Sequence, residues 1–274
     1  SGYQGMIDND ISLLTKKDVS DVLKKGGTFL YSARSSEFRT PEGRKKAYEN
    51  LKKHGIEGLV VIGGDGSLTG AKLLYEEHAV TCIGIPGTID NDLYGTDMSL
   101  GVDTALNIIC NAVDMISDTA SSHSRTFVVE VMGNKCGYLA AHSAMATGSE
   151  AAFVPEYPYN LDSTIAKLKD RYSRGYRRSI VIMAEGVGSA SDMAKEFKSK
   201  APEWDIKVTI LGHVQRGGSP TAYDRILGTN LGKAAVEALI AKKTAVMVGV
   251  KGTEVIETSF EDVFSHKNKL DKAV

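Results

Sequence analysis

Long apolar runs are missing from this chain. No stretch approaches the roughly 18 consecutive apolar residues that a membrane-spanning helix needs, so no membrane partner is indicated. Cysteine is scarce: Cys82, Cys110 and Cys136 are the only three in 274 residues, and they show no metal-ligand spacing. An odd number without a framework points to reduced thiols in packing roles and to a cytoplasmic setting. A strong charge of either sign is also lacking. The formal net charge of -1 argues against a generic nucleic-acid surface. Internal repeats, low-complexity tracts and an obvious linker are absent too. The chain opens at Ser1, with neither a methionine nor a signal-peptide pattern.

What is present is alternation. Residues 27–33, 59–62, 80–85, 126–132, 151–154, 180–184, 207–211 and 244–250 read as strands. Residues 41–54, 67–78, 135–147, 161–172 and 221–241 read as helices, and Val102, Ala105, Leu106, Ile109, Val113 and Ile116 mark one face of another. Thr40 followed by Pro41 is a helix start, and Gly55 a plausible stop. Several strands are apolar on both faces, the pattern of a parallel sheet covered on both sides. Strand after strand ends in polar residues: Arg34, Asp65, Asp90 with Asp92, Asn134, Glu185, and His213 with Arg216. Ligands collect at the carboxyl ends of such strands, so these groups are candidates for one cleft.

Gly63-Gly64-Asp65-Gly66-Ser67 sits where a strand turns into a helix. Glycines let backbone approach phosphate oxygens, the helix start offers N–H groups to an anion, and Asp65 could hold a Mg²⁺ that bridges phosphates. A plain tight turn capped by Ser67 is the competing reading. The loop is neither a Walker A sequence nor the dinucleotide fingerprint. In Pro86-Gly87-Thr88-Ile89-Asp90-Asn91-Asp92 an extended loop would point both aspartates the same way, one to accept a proton and the other to bind metal or a hydroxyl. Loop acids that cap helices or sit in water are the alternative. His213-Val214-Gln215-Arg216 suits a sugar phosphate. Arg125 and Lys207 begin strands, so they lie at the far ends from their own cleft, where a ligand of theirs would belong to a neighbouring subunit. The run Arg174-Gly175-Tyr176-Arg177-Arg178 fits either a phosphorylated effector or a solvated connection.

Taken together, six stretches resemble bacterial-type ATP-dependent 6-phosphofructokinases in collinear order. They are residues 27–34, 63–67, 86–92, 125–133, 184–186 and 211–220. The resemblance implies an α/β fold of two Rossmann-like three-layer αβα domains with mostly parallel sheets. Residues 1–101 with 214–274 would bind the nucleotide, and residues 102–213 the sugar phosphate. The implied reaction transfers the γ-phosphoryl of ATP to the 1-hydroxyl of fructose 6-phosphate, giving ADP and the bisphosphate. In it Asp90 is the general base, with Arg34 and Thr88 on the moving phosphoryl group. Ser35, Gly64, Gly66 and Ser67 bind ATP, and Asp65 holds Mg²⁺. Ile89, Met132, Gly133, Asn134, Glu185, His213, Val214, Gln215 and Arg216 would line the sugar site. Arg125 and Lys207 would reach the 6-phosphate of a neighbouring subunit, implying a homotetramer. Lys16, Glu150, Arg174 and Arg177 match an effector site between subunits.

The sequence also departs from the family. Asn134 stands where arginine is usual, and Lys207 replaces a bidentate arginine. Ser117 and Tyr176 replace effector-site cations, which predicts muted regulation. Gly66 and Gly87 stand where pyrophosphate users carry aspartate and lysine, which favours ATP. A pyrophosphate-dependent kinase and a non-catalytic sugar-phosphate-binding subunit are the alternatives. The family's first strand with its glycine-rich loop, and part of the C-terminal end, have no counterpart, so an exposed apolar seam is expected on one sheet.

Overall fold

Apolar residues in this chain recur with the periods that bury one face of a helix or both faces of a strand, and the computed structural model shows what they build. It describes residues 1–123, 125–176, 178–268 and 270, with the side chains of 121–123 left aside. The elements are α1 (Gly2–Ile7), α2 (Pro41–Lys53), β1 (Gly58–Gly63), α3 (Asp65–His78), β2 (Thr81–Pro86), α4 (Val102–His123), β3 (Thr126–Val131), α5 (Tyr138–Thr147), β4 (Ala151–Phe153), α6 (Leu161–Ser173), β5 (Ser179–Ala184), α7 (Ala190–Lys200), β6 (Ile206–Ile210), α8 (Ala222–Ile240), β7 (Val246–Lys251), β8 (Glu254–Ser259) and α9 (Phe260–Ser265). The chain divides into two compact units. The first holds Ser1–Thr88, Leu93–Gly101 and Ser219–Asn268. The second holds Ile89–Asp92 and Val102–Gly218, together with Leu270. The expected domain limits put residues 89–92 and 214–218 and Leu270 in the other unit.

In the first unit the sheet order is β1-β2-β7-β8. β1, β2 and β7 run parallel, while β8 returns antiparallel from Gly252. Residues alternate across this sheet. Cys82 and Met247 face a core built with Leu51 of α2, Leu68 and Leu74 of α3, and Phe260 of α9. Ile83, Ile85, Val248 and Val250 face Leu227, Leu231, Ala235 and Ala238 of α8. Each such aliphatic side chain contributes roughly 1.5–3 kcal/mol on burial, so both helix layers are held by the sheet and not by helix propensity. β1 is an edge strand and leaves Ile62 57% exposed, the apolar seam on one sheet.

The second unit has the order β4-β5-β3-β6, all parallel. β5 is buried at every residue, as a central strand covered on both faces must be. Leu161, Ile165 and Leu168 of α6, with Met193 and Phe197 of α7, close one face over Val128, Val181 and Met183. α4 and α5 pack against β3 and β5 on the rest of the sheet.

Caps fix the helix starts. The Thr40 hydroxyl accepts from Gly43 N at 3.1 Å, with Pro41 at the first helical position. Asn160 accepts from Ser163 N at 2.9 Å. The strand expected at 27–33 does not form. Phe29, Leu30 and Tyr31 are exposed, and Tyr31 takes a left-handed φ of 59° that breaks an extended run. Four elements escaped the sequence reading: α1, α7, β8 and α9. β8 is a hairpin strand with two glutamates, and its apolar alternation is short.

Candidate active site

The first unit positions the glycine loop. β1 ends at Gly63, Gly64 is the N-cap of α3, and the helix begins at Asp65 itself. Ser67 therefore lies inside the first turn and does not cap it, contrary to the turn reading. Gly64 makes no side-chain cap bond, so the first N–H groups of α3 stay available to an anion. Asp65 and Gly66 are exposed. A Cβ on Gly66 would meet nothing within 4 Å, so packing does not demand glycine there. A Cβ on Gly87, by contrast, would lie 3.1 Å from Ile62 and 3.3 Å from Gly63 N. Thr88 lies against the loop: a Cβ on Gly64 would come within 3.3 Å of it. The Thr88 N–H donates to Ser99 Oγ at 2.9 Å. Two motifs some twenty residues apart are thus adjacent. Arg34 is exposed on a segment without regular structure. Ser35 is engaged internally, donating to Gln4 Oε1 at 2.7 Å and accepting from Phe38 N at 3.1 Å. Tyr3, which the motifs gave no reason to single out, donates its hydroxyl to Ser67 O at 2.5 Å.

In the second unit the acidic loop is not extended. Asn91 is buried and takes a left-handed φ of 52°, so simple alternation does not orient Asp90 and Asp92. Their charges still interact. Burial, then Asp92, with a smaller push from Glu185, carries the Asp90 carboxyl up to about 6, against the pull of the Arg216 guanidinium. Three strand-end loops of this unit therefore bear on one carboxyl.

At the end of β3, Met132 and Gly133 are buried and Asn134 is exposed. Gly133 has φ 135° and Asn134 φ 53°. A side chain at 133 would also strike Cys136 O, and asparagine tolerates the left-handed region better than most residues. The Asn134 N–H donates to Glu185 Oε1 at 2.8 Å, fixing the carboxylate at the end of β5. His213, Val214 and Arg216 are exposed on the turn after β6, and Ile89 is half-buried. Gln215 differs from its neighbours: it is 1% exposed, and its amide bonds only backbone.

Arg125 and Lys207 do sit at the opening ends of β3 and β6. Both pair with Asp205, at 2.8 Å and 2.9 Å, and these cations hold its carboxyl below the usual range. Asp205 went unnoticed in the sequence, although it stands two residues before Lys207. Of the effector positions, Lys16 and Arg174 are exposed. The Glu150 side chain is 2% exposed, accepting from Arg171 Nη2 at 3.0 Å and from Ile180 N at 2.6 Å. Arg171 stacks on Tyr176 at 4.5 Å, and Arg178 bonds Ser117 Oγ at 2.9 Å. Arg177 lies outside the described residues.

Among the described residues no three His, Cys, Asp or Glu side chains form a metal cage. Magnesium needs none, since it usually takes one or two carboxylates, phosphate oxygens and water. The exposed Asp65 fits that chemistry. No described helix is long and apolar enough to cross a membrane.

The phosphofructokinase family model matches residues 1–239. The chain is 49% identical over 275 residues to an ATP-dependent 6-phosphofructokinase 2 of Bacteroides thetaiotaomicron, across 100% of this chain and 83% of the relative. It is 50% identical over 271 residues to an ATP-dependent 6-phosphofructokinase of Bacillus cereus, across 99% and 84% of the two chains. A solved phosphofructokinase of Saccharomyces cerevisiae matches with a TM-score of 0.90 at 34% identity, over 97% of this chain and 40% of that one.

Proposed function

The chain belongs to the phosphofructokinase family, and we infer from this that it is an ATP-dependent 6-phosphofructokinase. It transfers the γ-phosphoryl of ATP to the 1-hydroxyl of fructose 6-phosphate. The observation that carries the reading is the Asp90 carboxyl, pushed up to about 6 among Asp92, Glu185 and Arg216. A base with that proton affinity is ionised at neutral pH and still accepts a proton readily.

The new bond joins the sugar O1 to the γ-phosphorus, and the bond from that phosphorus to the β,γ-bridging oxygen breaks. The electron pair leaves on ADP, and the hydroxyl proton passes to Asp90. The transition state is loose and anionic, so positioning and charge dominate over covalent help. Arg34 and Thr88 are assigned to the moving phosphoryl group. The start of α3, with Gly64, Gly66 and Ser67, is assigned to the nucleotide phosphates. Ser35 adds to this loop through its backbone, because its hydroxyl is internally engaged. Asp65 would hold Mg²⁺, which neutralises phosphate charge when bound. Glu185, His213, Val214 and Arg216, with the Met132–Asn134 turn and Ile89, are assigned to the sugar phosphate. The open space at Gly66 supports ATP as donor.

The finer reading is a cytoplasmic homotetramer. Its support is an apolar face of the second unit. Met115 on α4 is 67% exposed. A shallow depression of about 300 Å³ lined by Ala112, Ile116 and Phe127 lies on the same face. Arg125 and Lys207 are assigned to the sugar 6-phosphate of a second copy. A phosphorylated effector at Lys16, Arg174 and Arg177 would bind weakly, because Ser117 and Tyr176 stand where effector-site cations are usual and Glu150 already occupies Arg171.

The test supplies the protein and fructose 6-phosphate with Mg-ATP or with pyrophosphate, in separate assays. Turnover with ATP alone is expected. Turnover with pyrophosphate alone overturns the donor assignment, and turnover with neither overturns the activity.

A further inference from the structure

We propose that Gln215 is a positioning residue: it never touches the sugar phosphate, but sets the spacing of the two loops that hold it. This rests on the sugar-site reading above. The β3–β6 ladder ends where Leu211 N donates to Glu130 O at 3.1 Å. Beyond that bond each strand runs into a turn carrying assigned sugar ligands, Met132 to Asn134 on one side and His213 to Arg216 on the other.

Gln215 spans the two turns. Its Oε1 accepts from Met132 N at 3.1 Å, and its Nε2 donates to Gly212 O at 2.9 Å. Both backbone groups belong to the turns, not to the strands. At 1% exposure the side chain has no surface to offer a ligand, while His213, Val214 and Arg216 around it are exposed.

The chemistry selects glutamine. The bridge needs one acceptor and one donor on a single planar group of this length, and an amide has both. Glutamate keeps the acceptor, loses the donor and brings a charge into a buried place. Methionine keeps the length and offers neither bond, so Met132 N and Gly212 O are left without their partner. Gln215→Met lets the two turns move apart, and Gln215→Glu keeps the bond between them but unfastens its own turn at Gly212 O. Arg216, the next residue, moves with its turn, and a shift of about 1 Å at such a group can cost a hundredfold.

The experiment compares wild type, Gln215→Met and Gln215→Glu. It measures KM for each substrate, direct binding of fructose 6-phosphate, the acid limb of kcat/KM and the unfolding midpoint. The expected result for both variants is a sugar KM and dissociation constant raised roughly ten- to a hundredfold, with the ATP KM within about twofold. The acid limb should also move to higher pH, because Arg216 no longer holds down the proton affinity of Asp90. A variant whose unfolding midpoint falls while both KM values and the acid limb stay at wild-type values overturns the proposal and makes Gln215 a packing residue. Equal rises in both KM values overturn it as well. A wild-type protein that neither binds nor phosphorylates fructose 6-phosphate overturns the sugar-site reading itself, and this inference with it.

Discussion

Asp90 gathers the electrostatics of its unit, and its behaviour is testable alone. Asp90→Ser removes the proposed base and should lower kcat roughly 10²- to 10⁴-fold, with fructose 6-phosphate binding retained. Near-normal turnover would show that another group takes the proton. The raised proton affinity predicts a kcat/KM that climbs as pH rises through about 6. Asp92→Asn removes the second-largest push, so the acid limb should move to lower pH. Substrate phosphate also titrates near pH 6, and comparing the two proteins isolates the carboxyl. Linkage has the same sign: the folded protein holds this proton more tightly than the unfolded chain. Its contribution to stability is therefore lost as pH rises between about 4 and 6. Asn134→Arg places a guanidinium beside Glu185. Tighter fructose 6-phosphate binding or faster turnover is expected, with a small loss of stability from the left-handed φ of 53°. Unchanged kinetics would mean that other groups already supply this charge.

At the scale of elements, the proposed determinant of the donor is the start of α3. Gly66 faces open space in the first turn of that helix. Gly66→Asp should leave the unfolding midpoint unchanged or slightly higher, since an acid favours a helix start. The same change puts a negative charge among ATP phosphates, and the ATP KM should rise roughly ten- to a hundredfold. An unaltered ATP KM would show that this turn does not face the nucleotide. Gly87 is different in kind: a Cβ there would press on Ile62 at 3.1 Å and Gly63 N at 3.3 Å, so a side chain must displace its neighbours by a few tenths of an ångström. Glycine at 87 therefore says less about the donor than glycine at 66.

For the whole molecule, each unit carries its own sheet and core. On the second unit, the α4 face with the exposed Met115 is the surface the proposed tetramer would bury. Met115→Glu places a charge on that face at a residue already 67% exposed. Sedimentation should report a smaller assembly, with the unfolding midpoint of the dissociated chain within a few degrees of wild type. An unchanged sedimentation coefficient would place the interface of the proposed tetramer elsewhere. Lys207→Glu should raise the sugar KM, because it reverses the charge beside Arg125 and Asp205.

Local patterns determined much by themselves. β5 and β2 were legible because a central parallel strand must be apolar on both faces, and α2 because Thr40 and Pro41 mark its start. The loops of Asp65, Asp90, Glu185 and His213 were legible because polar residues at strand ends break those runs. β8 was not, because an edge strand with a solvated face needs little apolar sequence. The segment 27–33 misled in the other direction, since it is apolar but no strand pairs with it. Only the tertiary structure decided what each polar residue bonds. Gln215 and Arg216 look alike as loop residues, yet one is sealed between two turns and the other faces solvent. Glu150 and Arg171 lie 21 residues apart and meet as a pair. Spacing fixes the element on which a residue sits, but its partners depend on contacts between segments distant in the chain, and these arise only when the sheets are assembled.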